Sequence, residues 1–211
     1  MLSLTTPETN SIRAGAISTR DLVWITARNR STGAPVGIGF WLDAGDVSFN
    51  VMDALTGSTV SRSFNGGALL SVGEIENVSD LSVITVNLEF SAFDPAVELA
   101  MRTHDVRLAP VQIYTLLLDP STGVPVAAAR ARFVGVIDEA PVTDGKEGEG
   151  AVVRMVAASQ SRELSRVNMD VRSHDSQLAR ASGDAFYKDT ATVGEWDIAW
   201  GQETRPGSVA S

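Results

Sequence analysis

The side chains equipped for catalysis are few. Two histidines occur, His104 and His174, and the second stands directly before Asp175 and Ser176. These are the residue types of a hydrolytic triad, but a triad needs its members delivered by separate elements, and consecutive side chains diverge. No Gly-x-Ser-x-Gly elbow occurs to expose a serine. Asp175 beside His174 reads instead as a capping or turn residue. There is no cysteine, no His-x-x-x-His and no Glu-x-x-His, and the acidic pairs Asp138-Glu139 and Glu147-Gly148-Glu149 lack the spacing of a calcium loop. Gly37-Ile38-Gly39 opens a strand and Gly66-Gly67 marks a bend, so neither has the helix start that a phosphate cradle requires. The expectation is no catalytic residue, no metal site and no cofactor.

The bulk numbers narrow the class further. With 211 residues the chain suits one large domain, or one domain with an appendage. Hydrophobic residues at 44% and charged residues at 20% sustain a buried core. Twenty-six acids against seventeen bases leave a net charge of −9. That balance repels phosphate and disfavours reading a nucleic-acid sequence; it suits a soluble surface, or a wall past which DNA slides without sticking. The lack of cysteine removes disulfides and fits a reducing cytoplasm. Apolar runs such as Val111 to Leu118 fall far short of the ~20 residues that span a bilayer, and the start MLSLTTPETN lacks the regions of a secretory signal. No membrane-spanning segment is expected.

The elements that organise these residues read as strands. Leu22 to Arg28 is apolar on both faces, turns at Ser31-Thr32-Gly33 and returns through Val36 to Leu42, with Val47 to Val51 continuing a meander. Leu81 to Phe90 is the cleanest strand, with Ile84, Val86, Leu88 and Phe90 on one face. Asp94-Pro95 then opens a short helix, an N-cap followed by a proline at the first helical position, with Ala96, Val97, Ala100 and Met101 as its apolar stripe. Val111 to Leu118 and Val126 to Ile137 form a second hairpin, in which Ala127, Ala129, Ala131, Phe133 and Gly135 alternate with Arg130, Arg132 and Val134. Ala151 to Ala157 is a further strand, after a charged loop from Thr143 to Gly150.

Ser31-Thr-Gly-Ala-Pro-Val36 recurs ninety residues on as Ser121-Thr-Gly-Val-Pro-Val126, with Trp24 and Tyr114 at matching places. Shared turn chemistry is the favoured explanation. The chain divides into a mobile N-terminal arm at 1–19, a β-barrel or β-sandwich at 20–158, and a C-terminal docking segment at 159–211. That last segment is polar yet carries Phe186, Tyr187, Trp196 and Trp200. Large rings in a polar tail usually dock on a core or a neighbour, so these four, with Arg172 and Asp184, are the subunit-interface candidates.

Several stretches carry a family resemblance. Arg20-Asp-Leu-Val-Trp24-Ile-Thr-Ala-Arg28 with Gly37-Ile-Gly-Phe-Trp41 looks like the opening of tail hub proteins from long-tailed phages and gene transfer agents. So does Arg107-Leu-Ala-Pro-Val-Gln-Ile-Tyr114 leading to Phe133-Val-Gly-Val-Ile137. Arg172-Ser-His-Asp-Ser-Gln177, Gly183-Asp-Ala-Phe186 and Trp196-Asp-Ile-Ala-Trp200-Gly201 are similar to a C-terminal pattern of phage tail-tip proteins. The family's longer hubs often carry a cysteine-bearing segment that this chain lacks.

The resemblance implies a mainly β, tail-tube-like barrel or sandwich with one short helix and an extended C-terminal segment. It implies a non-enzymatic baseplate hub of a siphophage-type virion, made in the bacterial host cytoplasm. Such a subunit forms a homo-oligomeric ring, trimeric if a hub and hexameric if a distal tail ring. It contacts tail-tube, distal tail and baseplate proteins, and DNA only passes through its lumen. Against this stand a carbohydrate-binding or adhesion module using Trp41, Trp196 or Trp200 as sugar platforms, and a hydrolase working through Ser176 or Asp184.

Overall fold

The computed structural model describes residues 4–76, 78, 82–143, 151–165 and 171–195, in two compact units, Met1–Ser165 and Arg166–Ser211. The first unit runs α1 (Thr6–Arg13), β1 (Ser18–Asn29), β2 (Pro35–Trp41), β3 (Val47–Met52), β4 (Thr59–Phe64), β5 (Leu69–Val72), β6 (Thr85–Ser91), α2 (Pro95–Thr103), β7 (His104–Asp105), β8 (Pro110–Leu118), β9 (Arg130–Glu139), β10 (Val142–Thr143) and β11 (Val152–Ser159), closing on a 3-10 turn at Gln160–Ser165. The fold is mainly β, with α2 where the sequence places it. Asp94 caps α2 by accepting the Ala96 N–H at 2.8 Å. Leu81, the expected start of the cleanest strand, lies outside the described residues, and β6 begins at Thr85.

The strands pair antiparallel in the order β2-β1-β8-β9-β11-β6-β5, with β7 added to β1 and β10 to β11, while β3 and β4 form a separate ribbon. Successive residues of β1 and β8 serve opposite faces. Val23, Ile25, Val111 and Ile113 join one core with β6, β11 and α2, and Leu22, Tyr114 and Leu116 join a second core under the ribbon with Val51 and Phe64. Phe40 of β2 and Phe90 of β6 meet at 5.0 Å across the first core, so the sheet curls. It does not close, and the barrel expectation is corrected to an open sheet. The reason is local: at Trp41 the outer side of β2 is taken by Asn65, at the exit of the ribbon, through Asn65 N–H to Gly39 and Trp41 N–H to Asn65.

Two sequence readings need correction in detail. Residues 6–13, expected within a mobile arm, form α1, whose Glu8 is buried against Arg130. The alternation expected along β9 is broken by a bulge: Ile113 pairs with Phe133 but Tyr114 pairs with Ala131. The extra residue, Arg132, rotates the strand by one place. Phe133 therefore packs in the first core, while Ala129 and Ala131 pack under the ribbon.

The recurring turns are alike atom for atom. Asn29 Oδ1 accepts Ser31 N–H, Ser31 Oγ–H and Thr32 N–H, and Asp119 Oδ1 accepts the same three groups from Ser121 and Thr122. Gly33 and Gly123 sit at φ 71° and 69°, where a side chain would be strained. A third copy, Asp53 to Ser58, turns the ribbon the same way with Gly57 at φ 69°. The turn chemistry explains the recurrence, and the sheet adds a geometric relation. Val23 and Ile113, ninety residues apart, are direct partners, so the hairpins β1–β2 and β8–β9 lie around a local two-fold with their turns at opposite ends.

Candidate functional site

The densest polar cluster joins the ribbon to the sheet. Asp53 is placed by the ribbon's turn, Arg62 by β4, and Gln112 and Tyr114 by alternate positions on one face of β8. Arg62 donates from Nη2 to Asp53 Oδ2 at 2.6 Å and from Nη1 to Tyr114 Oη at 2.6 Å. Tyr114 donates onward to Gln112 Oε1, and Gln112 Nε2 returns to Asp53 Oδ1 at 3.4 Å, closing a ring of bonds. The Arg62 guanidinium also lies 4.6 Å from the centre of the Trp24 ring and 5.8 Å from that of Tyr114. The matching aromatics of the two hairpins thus converge on one cation.

The electrostatics are those of a closed anchor. Burial pushes the Tyr114 phenol up to about 12, with Arg62 opposing, so it stays protonated as a donor. Asp53 is held below the usual carboxylate range: its burial acts the other way but is outweighed by the Leu55 N–H, the Arg62 charge and Gln112. Each of the four side chains in the ring is held by at least two of the others or by neighbouring backbone. Among the described residues, no group of three His, Asp or Glu side chains is placed to hold a metal ion.

Beside this anchor, β2, β4 and α2 border a groove of about 570 Å³ lined by Trp24, Ile38, Arg62, Leu99 and His104, among others. Its shape depends on glycine. A Cβ on Gly39 would stand 2.3 Å from the Ser63 carbonyl oxygen and 2.8 Å from Phe64. The Gly-Ile-Gly segment is thus a close-packing device for the Trp24 indole and the ribbon.

The residues singled out from sequence fall elsewhere. In the second unit, α3 (His174–Arg180) starts from Ser173, whose Oγ accepts the Ser176 N–H at 3.3 Å. His174, Asp175 and Ser176 are successive positions in its first turn and do not converge. Asp184 takes the Gln177 side-chain amide and the Phe186 N–H, so it acts as a local turn residue. Phe186 is 80% exposed, with its ring 5.0 Å from Tyr187, and Arg172 is exposed as well. Trp196 and Trp200 lie outside the described residues. Trp41, the first of the proposed sugar platforms, is buried and donates its Nε1–H to Gly45 at 2.7 Å.

Sequence reading missed Arg62, Asp53 and Glu8. Asp53 carried a usable signal, since Asp53-Ala-Leu-Thr-Gly57 repeats the turn pattern of Asn29 and Asp119. Glu8 carried one as well, the capping-box pattern Thr5-Thr-Pro-Glu8, though nothing in it pointed to Arg130; Arg62 carried none, because Tyr114 and Trp24 are distant in the chain. No protein-family model matches the chain, and no curated protein sequence matches it. Among the described residues no helix is long and apolar enough to cross a membrane.

Proposed function

We propose that this chain is a structural ring subunit of a phage-type tail tip, a hub that joins the tail tube to the baseplate and encloses the DNA path. The observation that carries the reading is where the family-like segments lie. They are scattered in the sequence, yet Arg20 to Arg28 falls in β1, Gly37 to Trp41 in β2, Pro110 to Tyr114 in β8 and Phe133 to Ile137 in β9. Those four strands are consecutive in the sheet. Segments that are family-like only in their order and spacing therefore form one contiguous block.

A ring also gives the outer strand β5 an occupant. β5 (LLSV) ends the sheet and carries no charged residue, whereas at the other end Asn65 already takes the outer side of β2 from Gly39 to Trp41. An uncharged edge invites pairing unless something covers it, and neighbouring copies would do so. A chain of net charge −9 around the lumen would let DNA pass without adhering. The nearest alternative, a distal tail ring, rests on the same observations and differs in having six-fold rather than three-fold symmetry. The sugar-binding reading loses Trp41, which is buried.

Sedimentation of the purified chain over a hundredfold range of concentration, alone and with a tail-tube or baseplate protein, tests the reading. Defined oligomers and a complex are expected. A strict monomer that binds neither protein would contradict it.

A further inference from the structure

The N-terminal helix is attached in a way its composition does not foretell. α1 spans eight residues, below the ~12–15 at which an isolated helix holds in water, and the side chain it buries is the charged Glu8. Glu8 accepts from Arg130 Nε at 2.7 Å and from Arg130 Nη2 at 2.8 Å, the forked geometry that makes such pairs directional. It also accepts the Thr5 N–H and hydroxyl, both at 2.6 Å, which ties the latch to the helix's own start. Among the described residues, no other hydrogen bond or ion pair joins α1 to the sheet.

Next to the helix runs a largely apolar groove of about 540 Å³ whose walls include Leu4, Ile12, Ile17, Ile75 and Leu117. Leu4, Ile12 and Ile17 nevertheless remain 41%, 41% and 51% exposed. The helix overhangs the groove without filling it. Its last turn is closed by Ala14 and Gly15 N–H groups bonded back to Asn10 and Ile12, and Gly15 at φ 82° turns the chain toward β1.

We propose that α1 is a strap held shut by one ionic latch, Glu8–Arg130, and that opening the latch draws the helix's side of the groove, Glu8 and Ile12, away from its sheet side, Leu117 and Ala131. Arg130 belongs to the sheet through its backbone pairing with Thr115, which does not involve the latch. The strap therefore opens while the sheet stays intact, and the two states differ mainly in one side-chain contact. The inference does not depend on the tail reading.

Hydrogen exchange on the full chain, read at α1 and at β8, tests this in Glu8→Gln and Arg130→Gln. Exchange in α1 is expected to rise about tenfold or more with β8 unchanged, together with a gain in fluorescence of added 1-anilinonaphthalene-8-sulfonate. Unchanged α1 exchange would overturn the proposal, because packing would then hold the helix. Loss of protection in β8 as well would also overturn it, because the pair would then belong to the core. Arg130→Lys, which keeps the cation and leaves the Thr5–Glu8 cap untouched, is expected to keep more protection in α1 than Arg130→Gln; equal protection in the two would rule out an ionic latch.

Discussion

The hairpins β1–β2 and β8–β9 share one turn and one local two-fold, but they put different material on the sheet. In the first, Trp24 pairs with Gly39 and its indole has glycines to lie against. The ninety-residue offset would pair Tyr114 with Ala129, yet Tyr114 pairs with Ala131. Ala129 bridges to Val51 instead, giving its N–H to Asn50 and its carbonyl to Met52. The second return strand thus leaves the sheet to hold the ribbon and rejoins out of step. Turn chemistry fixes where a hairpin reverses, whereas the residues beyond the turn decide what the hairpin carries.

Three tests sharpen that contrast, beginning with the close packing at Gly39. Gly39→Ala drives a methyl into the Ser63 carbonyl and is expected to destabilise the fold by about 3 kcal/mol in urea unfolding. Its counterpart, Ala129→Gly, removes one buried methyl and is expected to cost about 1 kcal/mol. Equal costs would mean the two return strands are packed alike.

Acid tests the second hairpin's own attachment. Arg130 pulls Glu8 down to about 2 from 4.5, against the effect of burial and with help from Thr5. A folded-state value below the unfolded one means the stabilisation is complete above about pH 4.5 and is lost as pH falls toward 2, by about 2–3 kcal/mol in all. Glu8→Gln should flatten that part of the stability profile, measured by urea unfolding between pH 5 and 2. A parallel loss in the parent and the variant would assign the acid sensitivity to other carboxylates, Asp53 among them.

The smallest effect tests the likeness of the turns. Asn29→Ala and Asp119→Ala each remove an acceptor of three bonds and should each cost about 1 kcal/mol, as for a lost cap. A wide difference between them would show that the turns are equal in geometry but not in energy.

Much of this was legible in the sequence, for reasons that are local. β1, β2, β3, β8, β11 and α2 follow from alternation, from the Asp94-Pro95 start and from glycine at the turns. α1 was missed: TPETNSIR shows no apolar period, and although Thr5-Thr-Pro-Glu8 marks a helix start, the helix docks through one partner in a distant strand. β4, with Arg62, reads as an ordinary half-exposed strand, and its cation finds Asp53, Tyr114 and Trp24 only in the folded chain. The bulge at Arg132 has no glycine to announce it. Trp41 looked like an exposed platform because its sequence neighbours do not reveal the ribbon that packs on it, with Phe49 5.5 Å away ring to ring.

The central proposal is that this sheet is one segment of a ring at a tail tip. A symmetry count from electron micrographs of the assembled particle, with this subunit located in it by a bound antibody fragment, tests that most directly. A ring of three copies between tube and baseplate is the expected result. Six copies would place the chain in the distal tail ring instead, and its absence from any ring would contradict the account.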